Sequence, residues 1–346
     1  LKITKNNYYF AYLSNQVFNI ICIFSIFHLG KILKNEATGL WASILFTFST
    51  LIVSHRSDFL IDLSLTSFST LCLLSLTKWY LDKNNISKYS LFSGITLGLI
   101  FLTKPTGIIL FFFPCLVIFI KRFINKNSPI LYLNEIIIFL SSFIIFIYPW
   151  FSRHWLTIIT STINAWNWGV NYQVGIKYNS IKNWFFYFYK LPLILGFITS
   201  SILSVIFILE KFLDKNTFQL RIKNIGMVNL WFFIYFFNTY LILSLMSTKD
   251  IRFLMPSYPL ICIYLSIFIN QKSCIFTPII KKRILLISII LSLFFQNGLN
   301  FNILNKNKFY KWPHSEIIKE IKNKNKNLIS TLAVLPDIKQ LNTFNL

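Results

Sequence analysis

Of the 346 residues, 55% are hydrophobic and only 13% are charged, against roughly 45–50% apolar and about 25% charged in soluble domains, so a soluble globular fold is excluded. The formal charge of +23, with 18% aromatic residues, raises nucleic acid as a partner. That partner is set aside because Lys and Arg sit in short polar breaks between apolar runs, where membrane proteins retain them.

Taken in chain order, the apolar runs predict helical spans near 8–29, 37–54, 59–81, 89–103, 106–120, 130–150, 185–209, 226–246, 253–270 and 284–297, several approaching the ~20 residues that cross hydrocarbon. The expected architecture is an all-α, polytopic transmembrane helical bundle of about ten spans over residues 1–300. The first span is weakened by Asn15, Gln16 and Asn19. The pair flanking Lys104-Pro105 is short enough to be one re-entrant hairpin. An aromatic stretch from Pro149 to Trp184 contains Trp150, Trp155, Trp166, Trp168, Tyr172 and Tyr178, and residues 153–184 are expected to form an outer loop. Interfacial anchoring explains such aromatics, and so does the wall of a sugar pocket. From residue 301 the composition turns polar, with a helix-like Ser315–Lys322 and a strand-like Leu328–Leu335. Residues 301–346 are too few for a core of their own and predict the start of an extracytoplasmic C-terminal domain.

Alternate loops differ in charge. One set holds Lys31, Lys34, Lys83, Lys88, Lys121, Arg122, Lys126, Lys211, Lys215, Arg221, Lys223, Lys272, Lys281, Lys282 and Arg283; the other holds Arg56, Lys104, Arg153, Lys177, Lys182, Lys249 and Arg252. The first, with about twice the cations, is placed in the cytoplasm, which leaves both chain ends on the outer side.

The outer side carries the residues that could do chemistry. Asp62 is a carboxylate at the head of an apolar helix, functional by default in a membrane or simply favoured by the helix dipole. Asp58 falls one turn earlier, and Arg56 is close enough in sequence to pair with either. Lys104 interrupts an uncharged stretch from Tyr89 to Ile120, and Pro105 breaks the helix behind it; it is read either as a snorkelling lysine or as a cation held for a phosphate. Lys249 and Arg252, around Asp250, are read either as an interfacial charge cluster or as further anion ligands. Cys22, Cys72, Cys115, Cys262 and Cys274 and the four histidines show no ligand spacing. No cofactor and no protein-built metal site are predicted, and a role for a divalent cation is left open.

The stretches His55-Arg56-Ser57-Asp58-Phe59-Leu60-Ile61-Asp62, Gly94-Ile95-Thr96-Leu97-Gly98-Leu99-Ile100-Phe101-Leu102-Thr103-Lys104-Pro105, Pro149-Trp150-Phe151 and Lys249-Asp250-Ile251-Arg252-Phe253-Leu254-Met255-Pro256 together resemble the GT-C type glycosyltransferases that use polyprenyl-phosphate sugars. These include protein O-mannosyltransferases and lipid A aminoarabinose transferases. The resemblance implies transfer of a hexosyl or pentosyl unit, with inversion, from a polyprenyl-phosphate carrier to a lipid, glycan or protein acceptor. The setting would be the outer face of a bacterial plasma (inner) membrane. It implies Asp62, with Asp58, as catalytic carboxylates that orient or deprotonate the acceptor hydroxyl or support the family's principal base, and Arg56, Lys104, Lys249 and Arg252 as substrate-binding cations. The family's principal carboxylate lies in its first outer loop, and the chain, opening on Leu1, is expected to begin after that loop. A membrane transporter or flippase of a solute or lipid-linked sugar is the competing class, since broken helices and intramembrane charges also mark solute paths.

Overall fold

The computed structural model describes residues 7–55, 61–82, 86–125, 129–171, 180–213, 226–246, 249–272 and 276–306. Every regular element among them is helical: α1 (Asn7–Leu33), α2 (Glu36–Thr47), α3 (Thr50–His55), α4 (Ile61–Leu81), α5 (Ile86–Thr103), α6 (Gly107–Asn125), α7 (Pro129–Asn171), α8 (Ile181–Trp184), α9 (Phe186–Leu195), α10 (Phe197–Leu213), α11 (Gly226–Leu245), a 3₁₀ segment (Ile251–Ser257), α12 (Tyr258–Ile269) and α13 (Pro278–Lys306). Residues 1–293 form one compact unit and 294–346 a second. The helix and strand expected at Ser315–Lys322 and Leu328–Leu335 lie outside the described residues.

The chain is an integral membrane protein. Leu13–Leu33, Ile86–Thr103, Leu133–Ser161, Val228–Leu245 and Ile251–Ile269 are each long and apolar enough to cross a bilayer, and the bent pair Ile181–Leu195 with Phe197–Phe212 is a sixth candidate. Among the described residues, length and composition thus support five or six of the expected ten or so spans. The run 37–54 is divided between α2 and α3, α4 is rich in hydroxyls, the apolar part of α6 is short, and α13 opens on Lys281-Lys282-Arg283.

α4 sits at the centre, packed on α1, α5, α6 and the 3₁₀ segment. Most of its Ser and Thr side chains reach back to carbonyls of the preceding turn, as from Thr66 to Asp62 (2.7 Å), Thr70 to Thr66 (2.6 Å) and Thr77 to Leu73 (2.7 Å). A helix that would be too polar for lipid is thus satisfied from within and buried by its neighbours.

Two glycine contacts set the close packing around it. At the α1–α2 corner, where Asn35 accepts from the Thr38 amide (2.9 Å), a Cβ on Gly30 would stand 2.6 Å from the Gly39 Cα. Along α5, Gly94 lies against Phe139 and Ser142 of α7, and Gly98 against Phe146. This is the small-xxx-small device by which membrane helices approach. α7 then shows lipid its outer side, with Ile137, Ile144, Ile145 and Tyr148 exposed.

Two expectations are corrected here. The region expected as an outer loop from residue 153 is helical to Asn171, because α7 runs 43 residues straight through Pro149. The run expected as one span at 185–209 is broken by Gly196, whose φ of +99° is open to glycine and disfavoured for other residues. α9 and α10 meet there at 105°.

Candidate functional site

Asp62 stands in the first turn of α4, 6% exposed, where the positive end of the helix favours a carboxylate. It is met by the turn that reverses α5 into α6. The Lys104 amide closes α5 on Ile100 (2.9 Å), and the Lys104 carbonyl accepts from Gly107 (2.7 Å), across a Pro105 that has no amide to give. Gly107 packs closely there: a Cβ would stand 2.6 Å from the Ile100 side chain and 2.9 Å from that of Leu65 of α4, so both would have to shift. This close seating of the turn on α4 brings the Lys104 ammonium to 3.9 Å from the Asp62 carboxylate. At that length it is an ion pair without a hydrogen bond, so neither partner is locked to the other.

The 3₁₀ segment supplies the third side. Asp250 caps it, accepting from the Arg252 amide (3.0 Å) and from Arg252 Nε (2.7 Å). Leu254, Met255 and Pro256 are buried, and the Tyr235 hydroxyl donates to the Pro256 carbonyl (3.0 Å). The segment packs on α4 and places the Phe253 ring 5.0 Å from the Lys104 ammonium, a cation–π distance. Lys104 therefore lies between a carboxylate and an aromatic face. Two motifs separated by about 150 residues in sequence meet at one ammonium.

Arg252 is about a quarter exposed and shares a charge-assisted contact with Asp250 (2.5 Å). Burial pushes the Asp250 carboxyl up, but hydrogen bonds and charge from Arg252, with charge from His55 at the end of α3, hold it below the usual carboxylate range. Lys249 turns toward the C-terminal end of α11, donating to the carbonyls of Leu243 (2.6 Å) and Ser244 (2.9 Å), with the Tyr187 ring at 5.6 Å. Burial pushes its ammonium down to about 8.

Of the sequence candidates, the structure thus brings Asp62 and Lys104 into contact and joins Arg252 to them through the adjoining Phe253. Lys249 is engaged with helix carbonyls and Tyr187. Arg56 and Asp58 lie outside the described residues. The sequence reading did not single out Phe253 and Tyr187, since 38 Phe and 16 Tyr conceal any one ring. It named His55 within a motif and among the histidines without ligand spacing. Of the aromatic stretch, Phe151 packs on Phe101 at 5.8 Å between ring centres, and the Tyr240 hydroxyl donates to the Trp184 carbonyl (2.6 Å). Trp150 and Trp155 are exposed on α7.

The family model for dolichyl-phosphate-mannose-protein mannosyltransferase matches residues 1–150, which takes in α1 to α6 and the first half of α7. No curated protein matches the sequence. Among solved structures, ArnT from Cupriavidus metallidurans bound to undecaprenyl phosphate aligns over 76% of this chain and 46% of its own, at 12% identity with a TM-score of 0.51. Over the aligned residues the fold is similar to that of ArnT. The apo form of the same protein aligns over 76% of this chain and 45% of its own, at 11% identity and the same TM-score of 0.51. The chain spans less than half the length of the ArnT chains it matches.

Proposed function

We propose that this chain is the membrane portion of a GT-C type glycosyltransferase that moves a sugar from a polyprenyl-phosphate carrier to an acceptor on the extracytoplasmic side of a bacterial inner membrane. The observation that carries the reading is the loose Asp62–Lys104 pair at one end of an apolar bundle, beside the segment that holds Arg252. A carrier whose tail lies in lipid offers its phosphate at the membrane surface, and Lys104 and Arg252 stand at the ends of apolar helices long enough to cross the bilayer.

The chemistry follows from the charges. When the bond from the sugar's anomeric carbon to the phosphate oxygen breaks, its electron pair stays on the phosphate. Lys104 and Arg252, fixed in a partly dry site, stabilise that growing charge more than water does. An acceptor oxygen forms the new bond to the anomeric carbon and must lose its proton. Asp62, once Lys104 turns to the phosphate, is the carboxylate placed to orient that hydroxyl or to take the proton. Asp58 and Arg56, close in sequence, are proposed to complete the same site, and Lys249 to extend its positive field. The acceptor is an envelope lipid, glycan or protein, and the sugar a hexosyl or pentosyl unit.

Proteoliposomes holding the chain and a radiolabelled undecaprenyl-phosphate sugar test this. Carrier binding that unlabelled undecaprenyl phosphate displaces, with label moving to an acceptor, is expected. Failure to bind the carrier, or solute uptake in place of it, overturns the proposal.

A further inference from the structure

The end of the bundle away from Asp62 holds a second group of cations, drawn from elements far apart in sequence. Lys34, at the α1–α2 corner, donates to the Ile267 carbonyl (3.0 Å). Lys281, near the start of α13, donates to the Gln271 carbonyl (2.9 Å) and pairs with Glu210 of α10 at 2.7 Å, both side chains 1% exposed. Lys282 reaches the ring of Trp41 on α2 (6.0 Å). Lys34 and Lys282 are half-buried, and no carboxylate among the described residues pairs with either. The acid nearest in sequence, Glu36, is taken by Lys31 at 2.7 Å.

The charges here do not cancel. Glu210 neutralises Lys281. The C-terminal carbonyls of α12 contribute roughly half a negative charge, and the N-terminus of α13 about half a positive one. Among the described residues, two ammonium groups therefore remain uncompensated in a partly buried place. Consistent with that surplus, burial and the charges of Lys281 and Lys282 push Lys34 down to about 8. Ordinary solvated orientation lysines do not converge on one helix end from two segments so far apart in sequence. The surroundings are those of a bilayer boundary: Leu40 is 52% exposed and Ile279 63%, and Trp41 is of the type that settles at headgroup depth.

We propose that Lys34 and Lys282, backed by the buried Lys281–Glu210 pair, form a binding site for the phosphate of an anionic phospholipid at the cytoplasmic end of the bundle, with its acyl chains lying along the apolar flanks of α2 and α13. Basic pockets between membrane helices bind acidic headgroups in this way. The same ammonium groups could meet inorganic phosphate, but the exposed Leu40 and Ile279 favour a ligand with hydrocarbon attached. The site is separate from the Asp62 end and does not rest on the glycosyl-transfer reading.

The test is thermal unfolding of the purified chain in a neutral detergent, with phosphatidylglycerol, phosphatidylcholine or inorganic phosphate added, alongside native mass spectrometry of retained lipid. Phosphatidylglycerol is expected to raise the melting temperature and to remain bound, while phosphatidylcholine does neither. Both effects should be lost in Lys34→Gln/Lys282→Gln and kept in Lys34→Arg/Lys282→Arg. If the glutamine variant folds poorly, retained phosphatidylglycerol in the folded fraction of Lys282→Gln alone decides the matter. Equal stabilisation by phosphatidylcholine, an undiminished effect in the glutamine variants, or inorganic phosphate acting as well as phosphatidylglycerol each overturns it.

Discussion

At Lys104 the same side chain has two partners of opposite use, a carboxylate at 3.9 Å and an aromatic face at 5.0 Å. If its role is to receive a phosphate, Lys104→Ala and Arg252→Ala should each cut sugar transfer at least about tenfold, about 1.4 kcal/mol or more of transition-state stabilisation, with elution profile and melting temperature unchanged. Wild-type rates in both variants would remove these residues from the site. Lys249 makes a separate prediction. Its ammonium is depressed from 10.5 to about 8, so its charge is lost as pH rises through about 8. Carrier affinity should then fall between about pH 7 and about pH 9, and Lys249→Arg should abolish the fall. Stability should move the other way over that window, because the folded chain binds fewer protons than the unfolded one. Titrating carrier binding and melting temperature together therefore separates the two effects.

At the scale of elements, the helix pairs are held by small residues and buried polar contacts, since apolar surface alone gives little drive toward association in lipid. Gly94 is the sharpest case, because any Cβ falls on Ser142 and the Phe139 carbonyl. Gly94→Val should lower stability by about 1–3 kcal/mol, read as a lower melting temperature with no selective loss of carrier affinity in the folded fraction. The Lys281–Glu210 pair should respond asymmetrically. Lys281→Met takes from Glu210 the buried ammonium it pairs with at 2.7 Å and should cost about 3–5 kcal/mol, whereas Lys281→Met/Glu210→Met should recover most of it. A double variant no more stable than the single would show that the pair is held for something other than mutual neutralisation. The glycines of the Gly-xxx-Gly stretch were legible in the sequence as a motif. That they serve the α5–α7 contact was not, because a motif names spacing and leaves the partner helix open.

For the whole molecule, composition and the spacing of apolar runs were enough to determine an all-α membrane bundle, because hydrocarbon admits backbone only where its hydrogen bonds are closed internally. The sequence also selected Asp62, Lys104 and Arg252, since a charge in or beside a span is costly and stands out against 55% hydrophobic residues. It joined into one span the run around Gly196, where one backbone angle divides it in two. Only the tertiary structure decided that the turn after α5 presses on α4, so that Lys104 meets Asp62 and Phe253, and that Lys34 and Lys281 converge on the far end of α12. The physical reason is the range of the forces involved: hydropathy and helix formation are set within a few neighbouring residues, whereas a site requires groups from distant segments within a few ångströms, and that depends on which helices pack together.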